Sequence, residues 1–120
     1  MRIAIVGAMG VGKTTLANDL AKVLKFKVLP EVAREMIKDG YKLDKGVDVL
    51  TEYEMIKRQV TLEEEKESWI ADRCLIDLWA YCEVLFKGNK PLINAIRNNL
   101  TKGKYDLIFY LPPEFPIEDD

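Results

Sequence analysis

The stretch Gly7-Ala8-Met9-Gly10-Val11-Gly12-Lys13-Thr14-Thr15 decides how this 120-residue chain folds. It fills every fixed position of the pattern G-x-x-x-x-G-K-[ST], with Gly7, Gly12, Lys13 and Thr14 in the required places. A loop of this kind curls until successive backbone N–H groups point inward at phosphate oxygens, and side chains with a Cβ would obstruct the curl. Lys13 then brings a cation to the β- and γ-phosphates, and the Thr14 hydroxyl can ligand Mg²⁺. The N-terminus of the following helix adds its dipole. The plain alternative, a tight strand-to-helix turn and nothing more, is outweighed by a complete motif with the right flanks. Upstream, Arg2 to Val6 is a short apolar, β-branched run that reads as a strand buried on both faces of a parallel sheet. Downstream, Leu16, Leu20, Val23 and Leu24 recur at helical spacing between Lys13 and Lys25. Residues 7–15 are therefore expected to hold a nucleoside triphosphate. No Asn-Lys-x-Asp base-reading motif is present, so ATP rather than GTP is expected, with Mg²⁺ on Thr14.

Working outward, Phe26 to Leu29 is a second apolar run halted by Pro30, and Val32, Ala33, Met36 and Ile37 predict a helix from Glu31 to Lys38 that stops at Gly40. Tyr41 to Val47 reads as a loop. From Asp48 to about Ser68 the pattern is a polar helix with a thin stripe of Leu50, Tyr53, Ile56 and Val60, and Thr51 with Glu54 forms a capping box if the helix begins late. Trp69 to Ala71 is a third brief strand, ending at Asp72-Arg73. Leu75, Leu78, Trp79, Cys82, Leu85 and Phe86 then trace a helical face closed by Gly88, which assigns Trp69, Trp79 and Phe86 to the core rather than to base stacking. A further helix is expected from Pro91 to about Leu100. Tyr105 to Leu111 is a strand, apolar except for Asp106, that Pro112-Pro113 stops. Strands alternating with helices predict an α/β fold with a parallel sheet. The tail PPEFPIEDD reads as a turn or a fraying end.

Composition narrows the partners. The chain is 48% hydrophobic and 32% charged, with a formal net charge of −2 and with Lys and Arg scattered, so the basic footprint of a nucleic-acid binder is missing. No run approaches the ~20 apolar residues of a membrane span, and the opening run is too short for a signal peptide. The chain reads as a single cytoplasmic domain over residues 1–120. Cys74 and Cys82 have neither Cys-x-x-Cys spacing nor any histidine to join them, so buried thiols are expected instead of zinc.

Gly7 to Thr15, Pro30-Glu31-x-x-Arg34 after the second strand, and Asp72-Arg73 with Asp77 and Tyr81 behind it together resemble the P-loop nucleoside and nucleotide kinases. More narrowly they resemble the small ATPase/kinase family that includes the ribosylnicotinamide kinase domain. The resemblance implies a three-layer sheet with strand order 2-3-1-4, in which the Asp72 strand lies beside the phosphate-loop strand. It implies Asp72 as a Mg²⁺ partner with Thr14, and Arg73 as a phosphate contact offsetting transition-state charge. Glu31, at the carboxyl end of its strand, would serve the acceptor by taking its hydroxyl proton or holding its sugar. Arg34, about one helical turn on, would anchor an acceptor phosphate, and Asp77 and Tyr81 would touch the substrate. Lys13, Glu31, Asp72 and Arg73 are thus the expected catalytic set, and a small-molecule phosphate acceptor the expected partner. Kinases of this kind continue beyond such a strand into an arginine-bearing lid and a last strand, so the domain is expected to be C-terminally incomplete. A nucleotide-gated interaction module is the alternative from another class; a polynucleotide 5′-kinase is disfavoured by the lack of a basic groove.

Overall fold

A computed structural model describes residues 1–7, 12–43, 47–100 and 104–112. Ala8, Met9, Gly10 and Val11 of the phosphate loop, Gly46 and the tail after Pro112 lie outside the described residues. The described elements are β1 (Arg2–Gly7), α1 (Lys13–Leu24), α2 (Val32–Lys38), α3 (Val49–Glu65), β2 (Trp69–Ala71), α4 (Leu75–Leu85), α5 (Lys90–Leu100) and β3 (Leu107–Leu111).

β1 is the middle of the sheet, hydrogen-bonded in parallel to β2 on one side and β3 on the other. The register aligns Ile3 with Ile70 and Leu107, and Gly7 with Leu111. Alternation along the strands fills two faces. Ile3, Ile5 and Ile70 pack under α1 with Ala17, Leu16 and Leu20. Ala4, Trp69 and Ala71 face the other side, with Leu29, Cys74 and Tyr105. Beyond them Ile56 of α3, Leu75 and Cys82 of α4, and Leu92, Ile93 and Ile96 of α5 close a further cluster, which Leu78 and Phe86 join. β1 is thus covered on both faces, as a parallel strand in an α/β fold must be.

The expected second strand shrinks to one parallel bridge, Val28 with Ile70, flanked by hydrogen bonds from Leu29 N to Ile70 O and from Ile70 N to Lys27 O. Its position still gives the order bridge, β2, β1, β3, which is the 2-3-1-4 order. Pro30 cannot donate to a ladder, so the run ends almost as it begins.

Three expectations about helices are corrected. α3 begins at Val49 with Asp48 as its cap, the Asp48 carboxylate accepting the Thr51 N–H at 2.8 Å, so Thr51 sits inside the first turn and forms no capping box. Its inner face is Glu52, Ile56, Gln59 and Glu63, while Leu50 is 80% exposed. Trp79 stands at 36% exposure with its indole N–H on Glu83 Oε1 at 3.0 Å, because α4 meets its neighbours through Leu75, Leu78, Cys82 and Phe86. Trp69 and both cysteines are buried as expected, and both thiols are free. α5 begins at Lys90, with the Asn89 side chain accepting the Leu92 N–H at 3.2 Å.

Two polar devices hold the layers. Arg58 of α3 pairs with Glu54 and Asp39 at 2.7 Å and with Glu35 at 3.0 Å, locking α2 onto α3. Arg2 N donates to Asp106 Oδ2 at 2.7 Å while Asp106 N donates to Arg2 O at 2.8 Å, which pins the start of β3 to β1. Leu107, Ile108, Phe109 and Tyr110 of β3 remain exposed. No described helix is long and apolar enough to cross a membrane.

Candidate functional site

The carboxyl ends of β1 and β2 place the first group of residues. Gly12 precedes α1 with φ of 87° in the left-handed region, and a Cβ there would meet nothing within 4 Å. Glycine is therefore needed for the backbone conformation, not for room. Gly7 is needed for the opposite reason: a Cβ on it would lie 2.5 Å from Leu111 O of β3. Lys13, the first residue of α1, is largely buried; its Nζ donates to Gly7 O at 3.1 Å and stands 3.6 Å from Asp77 Oδ1. The Thr14 hydroxyl donates to Asp72 Oδ2 at 2.8 Å. Asp72 is buried just past β2, and the parallel pairing of β2 with β1 is what brings it to Thr14.

Lys13, Thr14 and Asp72 line a cavity of about 270 Å³ with Gly12, Thr15, Glu31 and Arg73. The hydroxyl and carboxylate held side by side suit a hard divalent cation that keeps waters and phosphate oxygens as its other ligands, the habit of Mg²⁺. Among the described residues no cluster of three or more His, Cys, Asp or Glu gathers into a protein-only metal cage.

A second cavity, also about 270 Å³, shares Glu31 and Arg73 with the first. Its walls are apolar at Val32, Leu43, Met55 and Leu78, and polar at Glu52, Asp77 and Tyr81. Glu31 caps the start of α2 and lies between two arginines, with Oε1 3.8 Å from Arg73 Nε and Oε2 3.4 Å from Arg34 Nε. Burial pushes the Cys74 thiol in this wall up to about 12, so it stays protonated and inert at neutral pH.

The structure thus places Lys13, Thr14, Glu31, Asp72, Arg73, Asp77 and Tyr81 on the two adjoining cavities. Arg34 is the exception. Its side chain is 80% exposed and lines neither cavity. The spacing from Glu31 to Arg34 does put both on one side of α2, but they spend that proximity on each other as an i,i+3 pair.

Sequence reading missed the acids of α3. Glu63 is fully buried, with Oε1 accepting the Tyr105 hydroxyl at 2.7 Å and Oε2 accepting Gln59 Nε2 at 2.7 Å and Leu75 N at 3.0 Å. Gln59 also donates to Arg73 O at 3.3 Å, so this network backs the Asp72-Arg73 turn. Glu52, also fully buried, accepts the Cys82 thiol on Oε1 at 3.4 Å. Desolvation raises both carboxyls above the usual range, partly offset at Glu63 by its donors and at Glu52 by Cys82. Their shared spacing of 52, 56, 59 and 63 is a helical face, but one that alternates acid and amide with a single isoleucine and so carries no hydrophobic signal.

Comparison with known proteins places this geometry. A family model described as an AAA domain matches residues 2–120. No curated protein matches the chain. Among solved structures, NadR protein in complex with NR aligns at 21% identity with a TM-score of 0.78, over 93% of this chain and 33% of that one. NadR protein in complex with NAD and AMP-PNP aligns at 23% identity and a TM-score of 0.74, over 93% and 34%. Deoxyadenosine kinase from M. mycoides, with products dCMP and dCDP bound, aligns at 24% identity and a TM-score of 0.62, over 92% and 63%. The chain therefore spans about a third of the NadR structures and under two thirds of the kinase, and shares their fold.

Proposed function

The chain belongs to the AAA domain family, and we propose that it is an ATP-dependent phosphotransferase that moves the γ-phosphate of Mg·ATP to a small acceptor of the nucleoside class. The observation that carries this reading is the pair of adjoining cavities. One is built from Gly12, Lys13, Thr14 and Asp72, the other is acid-lined, and both share Glu31 and Arg73. An ATPase with no acceptor has no use for the second. Residues 1–120 act in this reading as one P-loop kinase-like unit working in the cytoplasm.

Each side chain has a task the geometry suits. Gly7 to Thr15 cradle the triphosphate, with Lys13 supplying positive charge where the β- and γ-phosphates lie. Thr14 and Asp72 hold Mg²⁺, which when bound neutralises phosphate charge. Arg73, at the seam of the two cavities, offsets charge on the transferring group. Glu31, beside it, takes the proton from the acceptor hydroxyl as the oxygen attacks. Asp77 and Tyr81 border the acceptor. Since the second cavity is walled by Glu31, Glu52 and Asp77 against Arg73, and Arg34 lines neither cavity, a neutral nucleoside acceptor is favoured over a nucleotide. The NadR structure in complex with NR and the deoxyadenosine kinase structure with the nucleotides dCMP and dCDP bound support a nucleoside or nucleotide class without fixing the acceptor.

The test is ADP release with Mg·ATP and a panel of nucleosides and nucleoside monophosphates. Stimulation by a nucleoside should fall by ~10²–10⁴-fold in Glu31→Gln with ATP affinity kept, and by at least ~10²-fold in Lys13→Ala. Tight ATP binding with no stimulation by any acceptor would replace this reading with that of an ATP-gated docking module, for which the exposed apolar residues of β3 offer a surface.

A further inference from the structure

We propose that Glu52 reads the acceptor, its Oε2 accepting a hydrogen bond from an amino or carboxamide N–H on the base-like ring of a nucleoside. This deepens the kinase reading and rests on it. Among the described residues, Glu52 Oε2 is the one buried side-chain oxygen or nitrogen without a hydrogen-bond partner. Leaving such a group unpaired is costly, and a native structure that retains one calls for an explanation outside the fold.

The contrast with Glu63 sharpens the point. Eleven residues along the same helix face, that carboxylate is equally buried yet has protein donors on both oxygens. α3 satisfies the acid that serves the fold. At Glu52 it supplies Oε1 with the Cys82 thiol and leaves Oε2 without a partner, in a residue that lines the second cavity.

The surroundings indicate what completes it. Apolar walls with a small number of placed polar groups are how a small-molecule site fixes one orientation. Glu31 and Arg73 belong to both cavities while Glu52 belongs to the second alone, so the reacting hydroxyl lies toward Glu31 and the ring toward Glu52. A ring carrying an exocyclic amino or carboxamide N–H in that place completes the ionised carboxylate; a ring with a keto oxygen in the same place sets two acceptors face to face. The three acids of this wall likewise favour a neutral or cationic ring over an anionic one.

The experiment uses the full-length protein at about pH 8 with Mg·ATP and three matched pairs: adenosine against inosine, cytidine against uridine, and a carboxamide-bearing riboside against its carboxylate counterpart. Wild type is expected to favour the member bearing the exocyclic amino or carboxamide group in at least one pair by about tenfold or more in kcat/KM. Glu52→Leu should collapse that ratio through the KM of the favoured member, leaving the KM for ATP unchanged. Glu52→Gln, whose amide N–H can face the cavity, should shift preference toward the keto member and serves as the deciding variant if the leucine fails to fold. A turning-over enzyme whose ratio is near unity, or whose ratio survives both substitutions, overturns the role of Glu52 and leaves the kinase reading standing. ATP binding without turnover of any nucleoside overturns both.

Discussion

Glu63 is the place where fold and site are most tightly joined, and removing its carboxylate should show it. In Glu63→Ala the Tyr105 hydroxyl loses its 2.7 Å acceptor. Leu75 N–H and Gln59 Nε2 each keep one weaker partner, the Tyr105 oxygen at 3.2 Å and Arg73 O at 3.3 Å. Three weakened donors, with the part-buried Tyr105 hydroxyl keeping only the Cys74 side chain beside it, plus the space left behind bring the total to about 3–4 kcal/mol. Against a typical stability of ~5–15 kcal/mol that is severe, and with a urea m-value of ~1–3 kcal/mol/M it moves the unfolding midpoint by roughly 1–4 M at unchanged m. Glu63→Gln is a different perturbation. Its amide oxygen can take the two N–H donors, and the Tyr105 oxygen, already an acceptor for Leu75 N–H, can receive an amide proton, so about 1 kcal/mol or less is at stake.

The two variants also separate by pH. Burial raises the Glu63 carboxyl above its usual 4.5, so the folded state holds the proton more tightly than the unfolded one. Stability from that group is complete below pH 4.5 and is lost as pH climbs through the raised folded value. Glu52 behaves alike in both proteins and cancels, so Glu63→Gln should gain on wild type as pH rises above 4.5. Urea titrations at several pH values measure this. A Glu63→Ala protein within about 1 kcal/mol of wild type, or a Gln variant with no such pH trend, would refute the reasoning.

Gly7→Ala should cost about 2–3 kcal/mol by forcing β3 away from β1, because its Cβ falls 2.5 Å from a backbone oxygen that cannot swing aside; thermal unfolding measures it. Asp72→Asn should keep the 2.8 Å contact with Thr14 and the melting temperature, yet raise the Mg²⁺ concentration needed for half-maximal ATP turnover by ~10–100-fold.

Much of this was legible in sequence because local chemistry sufficed. Gly7, Gly12, Lys13 and Thr14 announce their loop by spacing, and the run from Ile3 to Val6 announces a central strand by being apolar at consecutive positions. Asp72 was readable because it closes an apolar run of the same kind. The α3 face was not, since Glu52, Gln59 and Glu63 are buried by partners 12 to 42 residues away, at Leu75, Cys82 and Tyr105. Hydrophobic periodicity favoured Leu50, and tertiary packing turned it outward. Spacing likewise set Arg34 beside Glu31, where the structure has it, but spacing does not say which of two paired side chains lines a cavity.

Asp77 shows how far one side chain can be shared. Its Oδ2 accepts the Cys74 N–H at 2.9 Å and so closes the first turn of α4, while its Oδ1 stands 3.6 Å from Lys13 Nζ. The same carboxylate borders the second cavity. α4 is thereby fixed to the start of α1 by the lysine that the phosphate loop requires, and the Arg73-Cys74 turn has little freedom to move away from it. The two cavities consequently meet at a seam of alternating charge, Lys13, Asp77, Arg73 and Glu31, with cation and acid supplied from four different segments of chain. Of these four, Lys13 lines only the first cavity and Asp77 only the second, while Arg73 and Glu31 line both, so cation and acid meet where the proposed transfer of phosphate to a neutral hydroxyl would take place.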